Sequence, residues 1–427
     1  MEGPKTADSQ RPDPAGTGPG SGSGMDNEGK QRSLPEVETE SRHPDFAFNL
    51  RELAGSMGDF GTLFPLAIGF IAVNGMDPAG LFIVMGLANI ALGLIYRLPM
   101  PLEPKKVVAA TAIAQEWPPY LIHNSAFGLG LLWFLLVFTG LLRKLVSITP
   151  LFLVRGIQIA LAVMLGWRAF EMMAPAPLLG LIALVLVLLL RESRYAPAAL
   201  VIMGLGVGIM AWRGELQQAL VLDVTLPKPT LPRLDAMWEA MVLAGFAQIP
   251  LSITNAVIAA AALIRDYFPE KAVSERKLML NMGAMNVVGS FFGGMPMCHG
   301  AQGLAGQYTF GARTGGTPIL EGLIEISFGL FLSRSIANIL SAFPMALIGG
   351  MMVMVAIQLG KGAVKLRGWK LGLAATTAVV SVVTNMAVGF VVGLAATHVL
   401  RALARRGDLP DAVSTMLPDE AALSDEE

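Results

Sequence analysis

A single cysteine, Cys298, among 427 residues excludes an intrachain disulfide and any metal or cluster site built from several thiolates. Charge is scarce as well. Asp, Glu, Lys and Arg make up 15% of the chain, against about 25% in a typical soluble domain. The net charge of −1 offers no basic excess for a nucleic acid, so no such partner is expected. There are four histidines, none in a metal-ligand spacing, and no P-loop, which excludes ATP as the direct energy source. Neither a metal nor a cofactor is expected. Alternating ten-residue strand patterns are absent too, which excludes a transmembrane β-barrel.

What remains is apolar. Hydrophobic residues form 54% of the chain and mean hydropathy is +0.59. Uncharged runs such as 126–142 and 178–190 recur, and a membrane-crossing helix needs about 20 mostly apolar residues, or fewer inside a bundle. Inside a bilayer every backbone polar group must be satisfied within helices. The expected class is an all-α polytopic membrane protein, lodged in the lipid of a cell membrane, plasma or bacterial inner.

Fourteen hydrophobic segments are expected. The first set covers 47–73, 79–96, 101–116, 126–142, 149–166, 178–190 and 196–212; the second covers 237–263, 278–292, 302–311, 318–333, 340–358, 371–382 and 384–400. The domain plan is a Gly/Pro/Ser-rich disordered tail (1–44), a first membrane repeat (45–213), an extracytoplasmic connecting loop (214–235), a second repeat (236–404) and a disordered acidic tail (405–427). The first tail has no apolar core with a cleavage motif, so the first spanning helix is expected to serve as its own insertion signal.

Three short matches support an internal duplication. Ser147-x-x-Pro150-x-x-Leu153-x-x-Gly156 recurs as Ser341-x-x-Pro344-x-x-Leu347-x-x-Gly350, Leu53-Ala54-Gly55 as Leu243-Ala244-Gly245, and Pro99-Met100 as Pro296-Met297, at offsets of 194, 190 and 197. Seven segments per copy is odd, so the second copy enters the membrane inverted. Positive charge agrees with this layout when both termini are cytoplasmic: Arg143, Lys144, Arg276, Lys277, Lys365 and Arg367 fall inside, and few cations fall outside.

In inverted-repeat transporters, helices broken near the midplane turn their N-termini, each carrying about half a positive charge, toward an anion. Two interruptions occupy corresponding places here. One is Leu98-Pro99-Met100-Pro101-Leu102-Glu103-Pro104-Lys105-Lys106; the other is residues 293–308, with five glycines, a proline, Cys298, His299 and two glutamines. Candidate polar groups on neighbouring segments are Ser56, Asp59 and Thr62, with Glu52, Ser56 and Asp59 on one helix face, and Gln248, Ser252 and Asn255 at the same four-and-three spacing.

Each has a plainer reading. Ser56, Ser252 and the glycines serve close packing as readily as binding. Lys105 and Lys106 suit interfacial charges, Glu52 a solvated position or a pair with Arg51, and His299 a satisfied loop histidine as well as a proton carrier. Asp59 and Glu103 are carboxylates in apolar surroundings and are functional candidates by default. Cys298 beside His299 is the only pair that suggests an intramembrane enzyme, and it lacks an orienting third group.

Residues 293–308 with Phe310-Gly311-Ala312-Arg313-Thr314-Gly315-Gly316 resemble the signature of the molybdate transporters related to the sulfate permeases. Glu52-Leu53-Ala54-Gly55-Ser56-Met57-Gly58-Asp59-Phe60-Gly61-Thr62 and Gln248-Ile249-Pro250-Leu251-Ser252 with Asn255 resemble that family's first-helix and eighth-helix motifs. The resemblance implies a fourteen-helix inverted-repeat fold with a core domain moving against a gate domain, half-helices at segments three and ten, and no separate cytoplasmic regulatory domain. It also implies an oxyanion, molybdate or sulfate, bound between the facing starts of segments three and ten. From the residues themselves, the groups expected to hold it are Ser56, Thr62, Glu103, Lys105, Lys106, Gln248, Ser252, Asn255, His299, Gly300, Gln302 and Gly303, with Asp59 or Glu103 carrying a coupling proton. A homodimer is what the related folds suggest, and the expected protein is no enzyme. One departure stands out: the family pattern Pro-x-Gln-Pro-Met-Lys is here Pro101-Leu102-Glu103-Pro104-Lys105-Lys106. That change keeps a nucleobase or carboxylate symporter, and a passive anion channel, open as rival readings.

Overall fold

The structure, a computed structural model, describes residues 44–142, 144–145, 149–190 and 198–406; the side chains of 59–62, 363 and 404–406 lie outside that description. Both expected tails fall outside the described residues, apart from 44, 405 and 406, and so do residues 146–148, which include Ser147 of the repeat motif.

The first expected segment is two helices. Helix α1 (Leu50–Ser56) begins on Asn49, whose side chain accepts the N–H groups of Arg51 and Glu52 at 3.0 Å each. A 3-10 turn over Met57–Asp59 then separates it from α2 (Phe60–Ala72). The expected common face of Glu52, Ser56 and Asp59 therefore breaks before Asp59. The cause is a backbone contact: a Cβ on Gly58 would stand 2.6 Å from the carbonyl carbon of Gly306, so close approach of two chains sets the geometry there.

Helix α3 (Pro78–Tyr96) starts with a proline behind Asp77, whose carboxylate caps Ala79 N–H at 3.0 Å. After it come strand β1 (Glu103–Pro104), the nine-residue α4 (Lys106–Ala114), α5 (Pro119–Thr139), α6 (Leu151–Met173), α7 (Pro177–Leu190), α8 (Ala198–Trp212) and the short α9 (Glu215–Ala219). Helix α10 (Leu234–Tyr267) runs for 34 residues and is interrupted by π-helical turns over Met241–Gly245 and Ile253–Ala259, on either side of Pro250. The chain continues with α11 (Glu275–Ser290), strand β2 (Met297–Cys298), the nine-residue α12 (Ala301–Thr309), α13 (Gly316–Phe331), α14 (Ser333–Ala342), α15 (Met345–Gly360), α16 (Gly368–Val383) and α17 (Met386–Arg406). The sequence does not announce α14 as a separate helix; it bends 78° away from α13 and holds Ser341 of the repeat motif.

Five helices among the described residues are long and apolar enough to cross a membrane alone, and the bent α13–α14 pair makes a sixth. Large apolar side chains stand exposed on α6, α7 and α17, among them Phe170, Leu178, Leu189 and Val391. In water that surface would be a liability; in lipid it is the matching solvent.

Glycines set the closest helix crossings. Gly86 of α3 meets Gly322 of α13, where a Cβ on Gly86 would lie 2.5 Å from the Gly322 carbonyl oxygen. Helix α3 packs along α13, α5 along α11, and α6 along both α15 and α16.

Candidate functional site

The two interruptions of the apolar pattern meet. Strands β1 and β2 pair antiparallel, with Glu103 opposite Cys298 and Pro104 opposite Met297, and Lys105 N–H donates to the Pro296 carbonyl at 2.9 Å. Helix α4 leaves directly from one strand, with Lys105 at its cap; α12 leaves three residues after the other, with Gly300 at its cap. The pairing thus fixes both helix starts against one another, although their residues lie far apart in sequence.

Side chains of the chain itself occupy N–H groups at both starts. Fully buried Glu103 accepts the N–H of Gly303 in the first turn of α12 at 3.0 Å, and its other oxygen pairs with Lys106 Nζ at 2.9 Å. Lys106 also donates to Gln302 Oε1 at 3.2 Å. A Cβ at 300 would collide with the Glu103 carboxylate, so a larger residue there would displace that carboxylate. On the other side Gln248 Oε1 accepts Val107 N–H at 2.8 Å, in the first turn of α4, and Gln248 Nε2 donates to Ser252 Oγ at 2.8 Å. A carboxylate on one helix start and an amide oxygen on the other are where an anion's oxygens gain most from the backbone dipoles.

Lys105 is no interfacial charge. It is fully buried, its Nζ has no hydrogen-bond partner among the described residues, and it stands 5.2 Å from the centroid of the Trp133 ring. The aromatic face offsets only part of the cost of burying that charge. His299 is also fully buried, and it packs edge-on against Tyr96 at 5.7 Å between ring centroids.

The other expected site residues are less central. Ser56 is buried and donates to the Leu53 carbonyl of its own helix at 2.8 Å. Asn255 is half-buried in a π-helical turn, and the side chains of Asp59 and Thr62 lie outside the described residues. Glu52 corrects its expectation. It is neither solvated nor paired with Arg51; it is buried, accepts the N–H groups of Arg313 and Thr314 at 3.2 Å and the Thr317 hydroxyl, and so anchors the start of α13.

Two buried carboxylates escaped the sequence reading. Glu321 and Glu325, one turn apart on α13, are bonded by amides: Gln307 Nε2 donates to Glu321 at 3.2 Å and Asn89 Nδ2 to Glu325 at 2.8 Å. The signal was present as two acids four apart in an apolar run, but only a tertiary contact supplies their partners on α12 and α3.

The helical architecture that carries these paired helix starts is shared with solved membrane proteins. The membrane domain of the bicarbonate transporter BicA from a cyanobacterium superposes with a TM-score of 0.61 at 16% identity, covering 81% of this chain and 97% of that one. The murine anion transporter Slc26a9 superposes at 0.65 with 14% identity, covering 88% and 74%. In sequence, "Molybdate transporter 1" of Arabidopsis thaliana is 31% identical over 82% of this chain and 87% of its own length. Residues 51–165 and 240–359 match the family described as "Molybdate transporter of MFS superfamily". The chain belongs to this molybdate transporter family; it is a multi-pass membrane transporter, not an enzyme. The fold is shared with BicA and Slc26a9.

Proposed function

We propose that the protein is a secondary active transporter of a tetrahedral oxyanion, molybdate first and sulfate second, coupled to protons and working by alternating access. The observation that carries this reading is Lys105: a buried ammonium without a hydrogen-bond partner among the described residues, at the cap of one of two paired helix starts. Desolvated cations are costly alone and strongly favoured beside an anion. The Glu103 carboxylate marks the place, since it is itself an oxyanion resting on the α12 backbone with Lys106 as counter-ion. Cargo would displace or neutralise it, with Lys105, Lys106, His299, Gln302 and the N–H groups after Gly300 as the receiving groups, and Gln248 and Ser252 shaping the α4 side.

The packing supports two inverted seven-segment repeats with half-helices at α4 and α12. Exchanging the halves turns the α3–α13 pair into the α11–α5 pair and the α6–α15 pair into itself, and all three pairings occur. We assign the repeats to 45–213 and 236–404, joined by the extracytoplasmic loop 214–235, with both termini cytoplasmic in a cell membrane. Segments one to four and eight to eleven form the core that moves against the gate, in a homodimer.

The test is uptake of labelled molybdate into proteoliposomes containing the full chain, with sulfate, tungstate and uracil as competitors. Tungstate and sulfate should compete and uracil should not; competition by uracil alone overturns the oxyanion reading. Uptake that ignores a collapsed proton gradient at fixed voltage would mark a passive channel instead.

A further inference from the structure

We propose that Glu321 and Glu325, with Asn89 and Gln307, form the site that carries the coupling proton, separate from the oxyanion site. The proposal rests on the transport reading above and locates its driving ion.

The geometry begins with the glycine crossing. Because Gly86 and Gly322 let α3 and α13 touch, Asn89, one turn beyond Gly86, lies against Glu325 and donates to its Oε2 at 2.8 Å. Glu321, one turn earlier, receives Gln307 from α12 at 3.2 Å. All four residues are at most 5% exposed. Neither carboxylate forms an ion pair among the described residues.

The inventory of hydrogens is short. Glu325 Oε1, Asn89 Oδ1 and Gln307 Oε1 are buried acceptors without a donor. What the cluster lacks is a hydrogen, and a proton on one carboxyl supplies it while reducing two adjacent charges to one. The amides serve either state: their N–H groups donate to a carboxylate, and their oxygens accept from a carboxyl. A metal cation fits less well. Hard cations take about six or more oxygens, whereas the adjoining cavity is walled, apart from the two acids, by apolar groups including Leu63, Phe64, Phe82, Ile324 and Phe328.

Among the described side chains, no charged group bonds to either carboxylate. Helices α2 and α3 bring no charged side chain, and the ionisable group of α12 is Tyr308. Helix α1 brings Arg51, which is exposed, and Glu52, which is engaged with Thr317 one turn before Glu321; Arg334 of α14 pairs with Asp223 at 3.0 Å. Gln307 links the pair to the oxyanion site, because it lies one turn after Gly303, the residue that holds Glu103. Proton and anion would thus bear on opposite ends of the same nine-residue helix. The proton binds from one aqueous side and leaves to the other, with no covalent step.

Two measurements on the full-length protein test this. In proteoliposomes clamped at zero potential, a one-unit inward pH gradient supports about tenfold accumulation for one proton per cycle. Glu321→Gln and Glu325→Gln should abolish that accumulation while labelled molybdate exchange at equal pH stays within about threefold of wild type, the exchange also reporting correct folding. Unchanged accumulation, an equal loss of exchange and accumulation, or accumulation driven by sodium instead of protons overturns the proposal. Infrared difference spectra across a pH jump provide a readout without cargo: a carboxyl C=O band should be present in wild type and lost in the double variant. A retained band overturns the proton site, whereas a lost band with no molybdate uptake in wild type overturns the oxyanion reading and leaves the proton site standing.

Discussion

The Glu103 carboxylate accepts the backbone N–H of Gly303, 200 positions further along the chain, so a side chain from one interruption caps the helix that begins at the other. Lys106 neutralises it at 2.9 Å. An oxyanion arriving at the same backbone meets a resident competitor carried by the protein itself.

Replacing Glu103 by Gln removes that competitor's charge and releases Lys106 toward the cargo. The KM for molybdate in proteoliposome uptake should fall about tenfold, or about 1.4 kcal/mol. A raised KM would show that the carboxylate assists binding.

Lys105→Met separates transport from stability. Losing this buried ammonium at the cap of α4 should reduce molybdate uptake at least about a hundredfold, or about 2.7 kcal/mol. Thermal unfolding in detergent should be unchanged or shifted upward, because an apolar group of similar size replaces an unpaired buried charge. A lower melting temperature with normal uptake would make Lys105 structural.

Gly300→Ala should destabilise the protein by about 1–3 kcal/mol through overpacking against Glu103. Adding Glu103→Ala removes the obstruction, so the double variant should be more stable than the sum of the single effects. Additive losses in thermal unfolding would show that the collision is relieved elsewhere.

Glu52→Ala should cost about 1–3 kcal/mol, since it leaves the buried N–H groups of Arg313 and Thr314 without their acceptor. Molybdate KM, measured on the folded fraction, should not change. A KM effect with normal stability would move Glu52 into the binding site.

Outside the membrane helices, Asp45 is held below its ordinary carboxylate value by a hydrogen bond from Lys271, and further by Arg97 at 2.7 Å. A depressed folded value means that the contribution is complete above the ordinary value of 3.8 and is lost as pH falls through the lowered one. Hydrogen exchange of the first turn after Asn49 should therefore quicken only in strong acid, and Asp45→Asn should quicken it at neutral pH. An acid transition that persists in Asp45→Asn would assign it to another group.

The sequence by itself determined the class and the two places where the apolar pattern breaks. Scarce charge and recurrent apolar runs demanded helices in lipid, and the proline and glycine interruptions at 98–106 and 293–308 marked where those helices break, because these residues act through local backbone geometry. Glu103, Lys105 and Lys106 were legible as exceptions to an apolar pattern. Their chemistry was not, since partner choice depends on contacts between residues remote in sequence. Lys106 took Glu103, whereas Lys105 was buried against Trp133; Glu52 capped α13; and Gln307 and Asn89 found Glu321 and Glu325. Only the tertiary structure decided these pairings, because in a low-dielectric interior a polar group's role is set by which partner the packing brings within hydrogen-bond reach.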